Sequence, residues 1–214
     1  GDFLYGSDKR RDPYAYRTEL PQRTISIAQP YRMTRFPITE VQFNAFSQSA
    51  DYADTKWWRD VPAEYQAQPI FIIEEDSQPA PNDPATHISW YQATAFCNWL
   101  TAILRQANII TENQIIRLPT EYEWEKAARG TDGRVYPYGD DAEIDNANMS
   151  DANLGNVCAV GLFPDGISPY GIHDMSGNVF EWCAPSEDKT YSLRGGSYFM
   201  SQEWARCAYS YERA

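Results

Sequence analysis

The sequence lacks the long apolar run that a membrane-spanning helix needs, because no stretch approaches about 18 consecutive apolar residues. It is also poor in positive charge, with 18 lysines and arginines against 30 aspartates and glutamates, a net charge of −12. Such a surface repels phosphate backbones and anionic lipids. We therefore expect neither nucleic acid nor a membrane surface as a partner.

Cysteine and histidine are both scarce. The four cysteines form no CxxC pair, which argues against zinc-knuckle and thioredoxin-type sites, and they are too few for a disulfide-stapled scaffold. We therefore expect a cytoplasmic location. Only His87 and His173 are present, which is too few for a metal site built from three histidines. The sequence also lacks GxSxG, HExxH and a phosphate-binding glycine loop with lysine.

What the sequence does contain is a large apolar fraction, 43% of 214 residues, which suits one globular domain over 1–214. Capping patterns and apolar spacing predict helices over 39–46, from Trp90 to about Leu104, and after Thr120 as far as Gly130. Alternation and β-branched residues predict strands over 24–27, 31–36 and 115–118. The proline-rich stretch 51–84 is too short for a core of its own, and we expect it to be a loop insertion.

Three motifs follow one another along the chain: RLPTEYEWEKAARG (117–130), GIHDMSGNVFEW (171–182) and LRGGSY (193–198). Together they resemble the formylglycine-generating enzyme (sulfatase-modifying factor) family, and the resemblance covers nearly the whole chain. It implies an α+β, C-type-lectin-like fold with two main helices, short twisted β-sheets and long irregular loops. It does not imply the activity, because one fold supports many functions.

The resemblance also implies a calcium site in the turn from Asp174 to Glu181. Its ligands would be the side chains of Asp174 and Glu181 with the carbonyls of Gly177 and Val179, which suits the preference of calcium for oxygen. The alternative is that the two acids cap turns and pair with a neighbouring arginine.

A second calcium site of the family would begin at Asn148 and Met149. Here the loop that should complete it is short, so Asp151, Asn153 and Leu154 could serve only in a shifted register. Ordinary turn formation by asparagine and aspartate explains these residues equally well.

Catalysis in the resembled enzymes depends on a cysteine pair after GGSY that holds copper(I). The corresponding positions here are Met200 and Ala205, and Cys207 is the only thiol nearby. We therefore expect no copper, no iron and no enzymatic activity of this type. The alternatives are a metal-dependent oxidase with other chemistry and an accessory structural domain of a larger signalling protein.

The C-terminal segment LRGGSYFMSQEWARCAYSYER also resembles the variable proteins of diversity-generating retroelements, whose final segment is hypervariable on a fixed scaffold. This resemblance predicts a non-catalytic module that binds a protein or other macromolecule through residues within 198–212. The predicted binding set is Tyr198, Phe199, Met200, Ser201, Glu203, Trp204, Ser210, Tyr211 and Glu212. Aromatic side chains there would give large contact area at low entropic cost. The alternative is that Phe199, Met200 and Trp204 fill the core.

Overall fold

The computed structural model describes residues 1–59, 61, 79–185 and 190–213, with the main chain alone for 212 and 213. Most of the predicted insertion at 51–84 lies outside these ranges. The chain divides into two compact units, one formed by Gly1–Pro37 with Pro119–Ala214 and the other by Ile38–Leu118. The first of these carries all of the predicted functional residues. The assignment of 1–214 to a single domain stays a prediction.

Short helices and small antiparallel sheets make up the described chain, which is an α+β architecture. In chain order the elements are β1 (Asp2–Tyr5), β2 (Arg23–Ser26), α1 (Glu40–Ser47), α2 (Trp90–Gln106), α3 (Glu121–Arg129), β3 (Glu181–Trp182), β4 (Tyr191–Arg194) and β5 (Ser210–Arg213). β1 pairs with β2, and β4 lies between β3 and β5. Helix α1, at two turns, is a smaller addition to the two main helices.

Each helix begins at a capping box, in which the cap side chain and the side chain three residues later exchange hydrogen bonds with main-chain N–H groups. The caps are Thr39, Ser89 and Thr120. Helix α3 ends at Gly130, whose φ of 75° is accessible to glycine at little cost. The predicted helix positions are therefore confirmed to within two residues.

Two predicted strands, over 31–36 and 115–118, are not strands. Side chains, rather than a strand ladder, hold these segments. The hydroxyl of Tyr31 donates to the carbonyl of Glu123 (2.8 Å), and the amide of Ile116 donates to the hydroxyl of Thr101 (2.9 Å). These two predictions were wrong because the local sequence shows which side chains suit a strand and not whether a neighbouring strand exists.

Each unit has its own core. In the 38–118 unit the core is aromatic, with Phe46 and Trp58 almost fully buried. In the other unit Trp124 of α3 packs with Met175, Cys183 and Cys207. Helix α3 thus lies beneath the turn before β3 and the segment before β5. Within the described ranges, no helix is both long and apolar enough to cross a membrane.

Candidate binding surface and calcium turn

Buried arginines fix the C-terminal segment. Arg194 ends β4 fully buried, and its Nη2 lies 2.5 Å from Oε2 of Glu125 on α3. Its Nη1 donates to the carbonyls of Ala208 (3.0 Å) and Tyr209 (3.1 Å). One guanidinium therefore joins β4, α3 and the approach to β5.

Arg206 is the second fully buried arginine. It forms ion pairs with the buried carboxylates of Asp12 and Glu19, and its Nε donates to the carbonyl of Glu203 (2.8 Å). Arg129 pairs with Glu125 (3.0 Å) in the same region. Removal of one partner from such a buried ion pair leaves a desolvated charge, so these residues stabilise the fold only when every partner is present.

Two glycines bring the chain close to itself. Gly195 and Gly196 have φ values of 89° and 75°, and a Cβ on Gly196 would lie 2.9 Å from the carbonyl oxygen of Trp204. The carbonyl of Gly195 accepts from the amide of Gly177 (2.7 Å). The LRGGSY motif is thus bonded directly to the turn of the preceding motif.

The predicted binding set lies at or near the surface wherever the structure describes its side chains. Phe199 is 63% exposed and Tyr211 41% exposed. The remaining described members, Tyr198, Met200, Ser201, Glu203, Trp204 and Ser210, are half-buried. None of these described side chains is fully buried, which argues against the alternative that Phe199, Met200 and Trp204 fill the core. The side chain of Glu212 lies outside the described residues.

Buried positions interrupt this set. Five consecutive residues, which we call the frame, are all buried: Ala205, Arg206, Cys207, Ala208 and Tyr209. On one side of the frame the short turn Gln202–Trp204 precedes it, and on the other β5 begins at Ser210. The segment therefore alternates between surface and interior in blocks.

The set forms several local groups. Tyr198 packs edge-on against Phe199 (5.2 Å between ring centroids), and the hydroxyl of Ser201 donates to Glu203 (3.1 Å). Trp204 contacts Tyr209 (5.0 Å).

The structure adds residues that the sequence did not indicate. Tyr16, 40% exposed, lies 6.0 Å from Trp204, and the hydroxyl of Tyr14 accepts from the side-chain amide of Gln202 (3.2 Å). Phe180 lies 6.1 Å from Tyr211. Tyr14 and Tyr16 lie outside the three motifs, and Phe180 lies within one of them without having been assigned to binding, so only their contacts with the C-terminal segment single these residues out.

The two acids of the predicted calcium turn are held by neutral donors. Asp174 accepts from the amide of Gly161 (2.7 Å), and Glu181 accepts from Nε1 of Trp124 (2.8 Å). Burial raises the pKa of both carboxyls; that of Glu181 rises to about 7, with nearby Asp174 adding to the effect. Neither acid takes part in an ion pair within the described chain, and Arg194, opposite Glu181 in the sheet, pairs with Glu125 instead.

Gly177 and Val179 lie in the same turn between these acids, where Gly177 has a φ of 76°. Asp174 is buried and Glu181 half-buried, and carboxylates that take part in no ion pair within the described chain are groups that a hard cation would stabilise. These residues therefore fit a calcium ion, whose remaining ligands would be main-chain carbonyls.

Asn148, from the second predicted site, is 1% exposed. Its amide donates to the carbonyl of Asn156 (2.9 Å) and to Oδ1 of Asn178 (3.2 Å), whereas its own Oδ1 has no partner in the described part of the chain. Met149 follows as a buried side chain. A buried oxygen without a donor is an acceptor that a cation or a water would satisfy.

The positions of the family cysteine pair hold no thiol. Ala205 is fully buried, and Met200 is half-buried with its carbonyl accepting from the amide of Ser150 (2.9 Å). Cys207 is free and fully buried, and burial raises the pKa of its thiol to about 12. It is therefore protonated at neutral pH, whereas metal ligation and nucleophilic attack need the thiolate.

The two histidines have separate surroundings. His173 stacks on Phe36 (4.7 Å), and His87 is exposed with a φ of 57°. In the ranges that the structure describes, no three histidine, cysteine, aspartate or glutamate side chains converge as a metal site would require. A calcium turn with two carboxylates and main-chain carbonyls needs no such triple.

Comparison with known proteins identifies the class. Residues 1–214 match the model of the sulfatase-modifying factor enzyme 1-like domain, and the chain belongs to this family. A hercynine oxygenase of Mycolicibacterium thermoresistibile is 29% identical over 201 residues, covering 84% of this chain but 41% of that protein. The inactive C-alpha-formylglycine-generating enzyme 2 of Mus musculus is 28% identical, covering 92% of this chain and 72% of that protein. The family thus contains both enzymes and inactive members.

Solved structures agree on the fold. The structure of PvdO from Pseudomonas aeruginosa matches with a TM-score of 0.76 at 20% identity, over 100% of this chain and 85% of that one. The Treponema denticola variable protein 1 matches with a TM-score of 0.59 at 22% identity, over 83% and 77%. The predicted α+β, C-type-lectin-like fold is confirmed.

Proposed function

We propose that this chain is a non-catalytic binding module that works as a diversity-generating retroelement variable protein. Its ligand would be a protein or other macromolecule that contacts the predicted binding set. The observation that carries the proposal is the block pattern of the C-terminal segment, in which the described members of that set are exposed or half-buried and the frame between them is buried.

This pattern suits a surface that varies while the fold stays constant. Substitution of exposed side chains usually changes the free energy of unfolding by less than about 0.5 kcal/mol. Substitution of Arg206 or Ala205, which are fully buried, disturbs ion pairs or packing. A segment that contains both kinds of position can carry different exposed side chains while its main-chain conformation stays the same.

The chemistry of the segment supports binding over catalysis. Met200 and Ala205 stand where the resembled enzymes carry thiols, and the protonated thiol of Cys207 is sealed in the interior. The surface instead offers aromatic rings beside hydroxyl and carboxyl groups. Such mixtures are typical of adaptable protein-binding loops.

We further propose calcium as a structural ligand of Asp174 and Glu181, with the carbonyls of Gly177 and Val179. The support is that Asp174 is buried and Glu181 half-buried, that both carboxyls have a raised pKa, and that neither takes part in an ion pair in the described chain. The cation would neutralise them beneath the LRGGSY motif, to which this turn is hydrogen bonded. We also propose a cytoplasmic location, a compartment in which free cysteines, such as the four of this chain, are usual.

Deep sequencing of the 3′ end of the gene across a population of source cells tests the proposal. Substitutions should concentrate in the codons of the predicted binding set and spare those of the frame and of residues 1–190. A 3′ end as uniform as the rest of the gene would contradict retroelement diversification. Oxygen-dependent turnover by the purified chain with a bound transition metal would instead favour the oxidase alternative.

A further inference from the structure

A small cavity of about 190 Å³ opens beside the first residue of β5. Its lining includes Tyr5, Thr18, Glu19, Glu121 and Ser210. Ser210 belongs to the predicted binding set, whereas the other four residues come from elements that no motif linked to binding. The cavity therefore extends the binding surface into the scaffold.

The two carboxylates in the lining differ in how they are neutralised. Glu19 accepts two hydrogen bonds from the guanidinium of Arg206 (2.6 and 2.9 Å). The carboxylate of Glu121 accepts from hydroxyls, those of Ser210 (2.9 Å) and Tyr5 (3.5 Å). Within the described residues Glu121 takes part in no ion pair.

The ion pairs around the cavity leave out Glu121, although Arg194, which pairs with Glu125, also interacts with it electrostatically. Three arginines pair with three other acids in this region: Arg129 and Arg194 with Glu125, and Arg206 with Asp12 and Glu19. Glu121 is the fourth acid, and it faces an open cavity. A positive group from outside would balance it.

Four chain segments line the cavity, and one of them contributes an aromatic ring, that of Tyr5. The guanidinium of Arg23 lies over this ring, 5.0 Å from its centroid. Tyr16, close to the lining residue Thr18, likewise has the guanidinium of Arg206 5.7 Å from its ring centroid. Aromatic faces in this region therefore contact cationic head groups, which are the kind of ligand that the carboxylate also favours.

We infer that this cavity accepts a lysine or arginine side chain of the partner, which makes the ligand of the module a protein with a basic contact surface. This inference rests on the proposed function. The volume suits one side chain, since cavities for whole small molecules usually measure about 300–1,000 Å³. The net charge of −12 also attracts basic proteins to the molecule as a whole.

The test uses three amino-acid amides and the isotope-labelled chain observed by NMR. N-acetyl-arginine amide and N-acetyl-lysine amide should produce saturable shifts at the main-chain amides of Gly6, Ala208 and Ser210. N-acetyl-citrulline amide, a neutral analogue of nearly the same shape, should not. A stronger response to arginine or to lysine identifies the preferred head group.

Variants assign the effect to one carboxylate. Glu121→Gln should weaken the binding of the cationic amides by about tenfold or more, because a charge-assisted hydrogen bond is replaced by a neutral one. Glu121→Asp keeps the charge at the start of α3 and should restore part of the affinity. Glu143→Gln removes an exposed acid outside the cavity and should change nothing.

Equal shifts with citrulline, or unchanged affinity in a folded Glu121→Gln variant, would overturn the inference. The outcome of sequencing the gene does not depend on Glu121. If the cationic amides do not bind but substitutions are concentrated in the binding set, the inference is wrong and the proposed function stands. If the gene is uniform, the proposed function is wrong whether or not the amides bind.

Discussion

The predicted binding set and the frame lie within one short stretch of chain, yet they face opposite environments. Phe199 and Tyr211 are among the exposed large apolar residues, whereas Ala205, Arg206 and Cys207 are completely buried. Neighbours in sequence thus contribute to different properties of the molecule. The frame determines the path of the segment, and the binding set determines what the segment presents.

This difference shows how a fold can separate stability from specificity without separate domains. The frame is connected to the scaffold by buried ion pairs from Arg206 to Asp12 and Glu19 and by the amide of Cys207, which donates to the carbonyl of Val135 (2.8 Å). Several members of the binding set have only local side-chain contacts, such as that of Tyr198 with Phe199, although the hydroxyl of Ser210 donates to Glu121 on α3. Substitutions of each kind, measured against matched control variants, should therefore give separate results.

Replacement of Arg206 should have the largest effect. Arg206→Leu leaves two buried carboxylates with neutral donors such as the hydroxyl of Ser7 but without this cationic partner. We expect a loss of about 3–5 kcal/mol in the free energy of unfolding. Arg10→Leu is the control, because Arg10 also pairs with an aspartate but its side chain is 89% exposed. That change should cost less than about 1 kcal/mol, measured by urea denaturation. Equal losses would contradict the importance of the frame.

Gly196→Ala should come next, at about 2–3 kcal/mol, because the φ of 75° is strained for alanine and the new methyl group meets the carbonyl of Trp204 at 2.9 Å. Gly155→Ala is the matched control, because Gly155 has a φ of 70° but open space around its Cβ position. It should cost only about 1 kcal/mol. The difference between the two variants, measured by urea denaturation, reports the close approach alone, and equal costs would contradict it.

The calcium turn should show an effect of about 2 kcal/mol that depends on pH, because a buried carboxyl whose pKa rises to about 7 binds its proton more tightly in the folded than in the unfolded chain. In EGTA, the contribution of this carboxyl to stability should therefore be greatest below the ordinary glutamate pKa, fall as pH rises towards 7, and level off above it. Glu181→Gln should flatten this profile, and Glu143→Gln should leave it unchanged.

Calcium should reverse that trend by stabilising the ionised carboxylates, so that the melting temperature at pH 7.5 rises with added calcium in the wild-type chain but not in Glu181→Gln. Magnesium at equal concentration is the control, because it accepts such flexible oxygen sites poorly. No calcium response at pH 7.5 would contradict the proposed site.

The smallest effect on stability should come from the binding set itself. Tyr211→Ser should change the free energy of unfolding by less than about 0.5 kcal/mol, because the ring is 41% exposed. Tyr209→Ser, two positions earlier, removes a ring that is 6% exposed and should cost about 3 kcal/mol. Thermal denaturation of the two variants checks the contrast, which fails if they melt together.

Local features of this fold were predictable from the sequence, and partners distant along the chain were not. The capping box of Thr120 and Glu123 lies within four residues, so the start of α3 was accessible to inspection. The donor to Glu181 is Trp124, 57 positions away, and the contact of Tyr16 with Trp204 spans most of the chain. No periodicity encodes such pairs. The strand predicted over 31–36 is absent because a strand also needs a neighbouring strand to pair with.

The most direct test is a pair of display libraries on this scaffold. One randomises the nine residues of the predicted binding set together, and the other randomises the five residues of the frame. We predict that most members of the first library remain folded and yield binders to a chosen basic protein, whereas few members of the second fold. Comparable loss of folding in both libraries, or no binders from a well-folded first library, would contradict the account of a variable surface on a fixed frame.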